Sequence, residues 1–169
     1  AFPKEPFLLK LSRIYRDARR LHGNGPYKDH LWFCVRAGGE DRTGRPTFYF
    51  EIGPDYYSYG MGFWAPKAAL MEAYRKAVDE HPEVLEKLVK RFNKQAQFTL
   101  SGPEYARKKT APSPLLAAWY NKKSINLQHD AAPDERMFSQ ELAQDIIEGF
   151  RTLMPLYKYF DALCAAEMV

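Results

Sequence analysis

A chain of 169 residues, 46% of them hydrophobic, is long enough to close one domain around a core of its own. An aromatic share of 15%, with eleven Tyr and eleven Phe, excludes a disordered chain, because such rings bury large areas each. The formal charge of +4 is unevenly spread: residues 1–45 hold ten Lys or Arg against five acids and residues 86–123 nine against two, whereas residues 46–85 hold three against six and residues 124–169 three against eight. Two basic segments either converge and focus potential toward an anion or remain separate solvated surfaces. No apolar run reaches membrane-spanning length and no charged-then-apolar leader opens the chain, so no membrane partner is expected. Cys34 and Cys164 are far apart and outside any CxxC spacing, which reads as reduced thiols in a cytoplasmic protein.

In chain order, the first clear element follows the Gly23–Pro26 turn. Residues 31–37 form a short apolar, β-prone run ending at Gly38-Gly39 and predict a strand. Residues 47–53 and 56–63 predict two more, joined by Pro54-Asp55 as a hairpin. On the second of these, Tyr57, Tyr59, Met61 and Phe63 share one face and Ser58, Gly60 and Gly62 the other. A Gly and Ser face admits close approach of a packed helix or a ligand, and helix packing is the commoner cause. From Pro66 the period lengthens: Leu70, Tyr74, Ala77 and Val78 mark one helix, and Leu85, Leu88 and Phe92 a second beyond His81-Pro82. Residues 97–114 read as a proline-bounded loop around Arg107-Lys108-Lys109, residues 115–120 as a short helix, and residues 124–129 as a returning strand. Leu142, Ile146, Phe150, Leu153, Tyr157, Phe160 and Cys164 form one helical seam with a Ser139 cap, and Pro155 marks a kink or restart. The expected fold is α+β: a single domain over residues 1–169, with a small, mostly antiparallel sheet packed with helices and a long C-terminal helix.

The segment Arg13 to Lys28 crowds four arginines and one aspartate ahead of a glycine-proline turn. Guanidinium groups this close need an anion between them, either Asp17 or a bound carboxylate or phosphate. Three readings stay open: a structural ion-pair lattice, an anion site oriented by Asp17, and a catalytic carboxylate. Lys122-Lys123 and Arg107-Lys108-Lys109 are candidates to complete the site, Lys123 the better because a strand would hold it. The four histidines show neither paired nor metal-ligand spacing, so no metal and no cofactor is expected, and the phosphate-loop, dinucleotide and nucleophile-elbow patterns are absent.

Arg13, Arg16, Asp17, Arg19 and Tyr27 match the pattern R-x-x-R-D-x-R-F followed by a tyrosine, and on them the chain resembles an uncharacterised, mainly bacterial family known as domain of unknown function 2461. Arg20 stands where the pattern has phenylalanine, and Gly23-Asn24 where it has an acidic-then-lysine pair. The resemblance continues through Tyr49–Tyr59, Lys123-Ser124 and the final helix. It implies that a helical N-terminal part of family members is missing from this chain, which begins at Ala1. The expected function is recognition of a small anionic ligand, phosphate- or carboxylate-bearing, by Arg13, Arg16, Asp17, Arg19, Tyr27, Lys28 and Lys123. The alternatives are a nucleic-acid or protein interaction module with a basic surface, and an acid-base enzyme using Asp17, Glu51 or Asp55 on a phosphorylated or glycosidic substrate. A nucleic-acid partner is not expected, since no aromatic-plus-basic strand pattern supplies base stacking. Oligomeric state has no signature in the sequence.

Overall fold

The computed structural model describes residues 6–17, 19, 25–38 and 44–166. Among the described residues six strands form one antiparallel sheet in the order β1-β2-β3-β4-β6-β5. They are β1 (Phe7–Leu11), β2 (Leu31–Ala37), β3 (Thr47–Ile52), β4 (Tyr57–Gly62), β5 (Thr99–Ser101) and β6 (Asn126–Ala131). Between β4 and β6 the chain passes through α1 (Ala68–Glu80), α2 (Pro82–Phe92), the edge strand β5 and the short α3 (Ala117–Tyr120). The last element is α4, Gln140–Ala166.

The β3–β4 hairpin forms where Pro54-Asp55 predicts it, closed by the Gly53 amide donating to the Tyr56 carbonyl at 2.9 Å. The second face-assignment expected from the sequence is corrected. The helices pack on the Tyr57, Tyr59 and Met61 face of β4, and the atoms nearest the glycines on the other face belong to residues 125–128. A Cβ on Gly60 would strike the Leu127 carbonyl of β6, and one on Gly62 the Asn126 side chain and the Ile125 carbonyl. These glycines therefore serve the close approach of the neighbouring strand.

The core lies between that face and α4. Phe48 is wholly buried, stacked on Tyr157 at 4.8 Å and tilted against Phe150 at 4.7 Å. Such ring pairs add about 0.5–1.5 kcal/mol each beyond their buried area. Phe160 closes the layer edge-on to Phe63 and beside Tyr74 of α1. All seven seam residues of α4 are buried, and Ser139 caps it, its Oγ accepting the Glu141 amide at 3.1 Å. The helix runs through Pro155 without a restart.

Three elements differ from expectation. β6 begins two residues late, at Asn126. β5 is a three-residue strand inside what reads as loop, held only by pairing with β6. β1, with the pattern FLLKL, is an edge strand whose Leu8, Leu9 and Leu11 are mostly exposed, so no alternation betrays it. Among the described residues no helix is long and apolar enough to cross a membrane.

Candidate functional site

Residues 12–16 and 26–30 prolong the β1–β2 pairing as a two-stranded arm. Ser12 donates its amide to the Trp32 carbonyl at 2.8 Å and accepts the Trp32 amide on its Oγ at 3.1 Å. Further out, Lys28 donates to the Ile14 carbonyl at 2.9 Å and Arg16 to the Pro26 carbonyl at 2.8 Å, around a bridge between Tyr15 and Tyr27. The two tyrosine rings lie 5.5 Å apart and more than half exposed.

This backbone pairing sorts the charges of the motif. Arg19 makes a bidentate pair with Asp17, at 3.0 and 2.7 Å, and its own amide donates to the same carboxylate at 3.1 Å. That bond raises the Arg19 pKa further. Arg16 turns the other way: its Nε donates to the Tyr27 carbonyl at 2.6 Å and its Nη2 lies 3.4 Å from Asp29. Asp29 also accepts from His30 Nδ1 at 2.8 Å, and this bond, ahead of the Arg16 charge, holds its carboxyl below the usual range. Arg13 is exposed, and it forms no ion pair among the described residues. Arg20, at the family's phenylalanine position, lies outside the described residues.

Lys28 reaches the face of the sheet opposite the helices. Its ammonium stands 5.8 Å from the centre of the Trp32 indole, and Lys10 of β1 stands 5.6 Å from the same ring. Register continues this row across the sheet: Trp32 is opposite Glu51, Glu51 opposite Ser58 and Ser58 opposite Asp130. Glu51 accepts a hydrogen bond from the Tyr56 hydroxyl, which is pushed up to about 12 chiefly by that bond. Beside it Tyr49 reaches Ser58 Oγ at 3.4 Å, and burial raises its hydroxyl pKa, as it does the thiol of Cys34. Gln128 accepts from Ser101 at 2.5 Å and donates to Asp130 at 2.7 Å. The face is thus polar and aromatic, with Lys10 and Lys28 at the arm's root and the buried Arg36 toward the other end of β2. Lys10 and Trp32 were not among the residues expected from the sequence. The signal for both is period-2 parity, since Lys28, Trp32 and Cys34 alternate along one strand path and Lys10 is the register partner of Cys34.

Lys123 lies elsewhere. It precedes β6 at the Gly62 and Thr47 end of the sheet, whereas the arm leaves from the Leu31, Ile52, Tyr57 and Ala131 end. Four strand spacings, about 19 Å, also separate β1 from β6. Its ammonium is 5.7 Å from the Tyr105 ring, far from Arg13, Arg16 and Arg19.

The architecture defines a two-layer α+β domain whose sheet bears helices on one face and polar side chains on the other. The chain belongs to the family described as conserved hypothetical protein (DUF2461), whose family model matches residues 1–159. No curated protein matches it.

Proposed function

We propose that this protein recognises a small anionic molecule, phosphate- or carboxylate-bearing, at the root of the β1–β2 arm. Lys10, Arg13, Arg16 and Lys28 supply positive charge, Asp17 orients Arg19, and Tyr27 and Trp32 offer flat walls. One observation carries the reading. Lys10 and Lys28 arrive from different strands at one indole, and no carboxylate among the described residues is bonded to either. Two ammonium groups drawn to one ring repel each other, and an oxyanion between them relieves that repulsion while using both as charge-assisted donors. The reading also assigns a cytoplasmic setting, supported by two cysteines outside any disulfide, Cys34 half-buried and Cys164 buried.

The test is a tryptophan-fluorescence titration with pyrophosphate and with citrate. Binding to the wild type is expected to weaken about tenfold or more in the K10A/K28A double variant, as loss of a charge-assisted hydrogen bond implies. A wild type that responds to neither anion, or a double variant that binds as tightly as wild type, defeats the reading. A second reading, an interaction arm for a macromolecule, is favoured by the half-exposed Ile14, Tyr15 and Tyr27 beside Arg13 and Arg19. It requires tight, steeply salt-dependent binding to a single-stranded oligonucleotide or capture of a protein partner through the arm. Nucleic-acid affinity is expected to be negligible at physiological salt.

A further inference from the structure

Arg75 of α1 is 7% exposed, and its Nη1 is sealed from solvent with no hydrogen-bond partner. Among the described residues its guanidinium makes no ion pair. Its Cζ lies 4.7 Å from the centre of the Tyr105 ring, on the loop between β5 and α3. Two carboxylates close to it in sequence or on the facing loop bond to other groups. Asp79, one helical turn along α1, accepts from the Tyr120 hydroxyl at 2.9 Å, and Glu104, next to Tyr105, is bound by Lys108 and Lys122 at 3.1 Å each. A buried guanidinium without a direct ion pair is a costly arrangement, and an aromatic face offsets only part of the cost.

A second cation meets the same ring. The exposed Lys123 ammonium stands 5.7 Å from the Tyr105 centre. The loop carrying Tyr105 also holds Arg107, Lys108 and Lys109, of which Lys108 pairs with Glu104. The loop's backbone is anchored: the Tyr105 amide donates to the Asn121 carbonyl at 3.0 Å, the Lys123 amide to the Pro103 carbonyl at 2.7 Å, and the Lys109 amide to Asn121 Oδ1 at 2.8 Å.

We infer that Arg75, Tyr105 and Lys123 form a second oxyanion site, whose occupant is a phosphate group. Lys123 draws the group in from solvent, and the Tyr105 ring swings aside on its anchored backbone to uncover the guanidinium fork. A planar fork and a mobile point charge together suit a tetrahedral dianion better than a single carboxylate. The site lies at the opposite end of the sheet from the β1–β2 arm and does not depend on the function proposed there.

Thermal unfolding of the full chain in inorganic phosphate, against sodium chloride and acetate at matched ionic strength, tests this. Phosphate is expected to raise the wild-type midpoint by about 2–4 °C over both controls. A phosphate-specific rise should persist in K10A/K28A, and in that background K123A should lose at least half of it and R75M all of it. Should R75M not fold, the Arg75 Nε–Hε resonance in the ¹⁵N NMR spectrum of the wild type supplies the readout, and it should shift on addition of phosphate and stay put in acetate. No phosphate-specific rise, an equal rise when K123A is added to K10A/K28A, a rise abolished in K10A/K28A, or an unmoved Arg75 resonance would each overturn the inference. The K10A/K28A result separates this site from the arm, because it removes the charges of one and leaves the other whole.

Discussion

Gly60 has room for a hydrogen and nothing larger. Because the atom its Cβ would meet is the Leu127 backbone carbonyl, relief requires β4 and β6 to separate rather than a side chain to rotate. Gly60→Ala is therefore expected to destabilise the protein by about 1–3 kcal/mol, the usual range for overpacking, read as a lower urea midpoint with an unchanged slope. A midpoint equal to wild type would contradict this account of the glycine face. At the same scale, the pairing of Arg19 with Asp17 is legible in sequence because they stand only two positions apart. The pairing of Arg16 with Asp29 is not, because it is made across the arm and depends on the Tyr15 and Tyr27 register. Lys10 lies eighteen residues from Lys28, and only strand pairing brings both to Trp32.

Elements were legible in proportion to their length and to the strength of their period. The long seam of α4 and its Ser139 cap follow from spacing alone. Ser139→Ala leaves the Glu141 amide without its acceptor and is expected to cost about 1 kcal/mol, while Ser139→Asp should keep most of the stability. Urea unfolding of the two variants decides it: equal midpoints would mean that the cap contributes nothing. The β3–β4 hairpin was equally readable, since Pro54-Asp55 divides two alternating runs. β5 was not, because three residues carry too little pattern to distinguish a strand from a loop, and its hydrogen bonds are supplied wholly by β6. β1 was missed for the opposite reason: an edge strand with leucines toward both faces shows no alternation.

At the scale of the whole molecule, tyrosines tie stability to alkaline pH. Burial pushes Tyr157 and Tyr159 up to about 12, and Tyr157 accepts the Ala37 amide at 2.9 Å from across the core. A folded pKa raised above the unfolded value near 10 means stability present in full below pH 10 and lost as pH rises toward 12. Absorbance at 295 nm should reveal a class of tyrosines that ionises only as the far-UV circular dichroism collapses. Complete ionisation near pH 10 with the dichroism intact would show these hydroxyls to be accessible.

What the sequence by itself determined is the material of the fold: two periods in one chain, a hairpin, a helix pair and a long amphipathic helix. Local spacing suffices for these because the forces that select them act within a few residues. Only the tertiary structure decided which face of the sheet the helices cover, which carboxylate each arginine takes, and that Lys123 sits with Arg75 and Tyr105 rather than with the arm. Those outcomes depend on strand order and register, which bring residues distant in sequence to a shared ring or carboxylate, and no local periodicity encodes that choice.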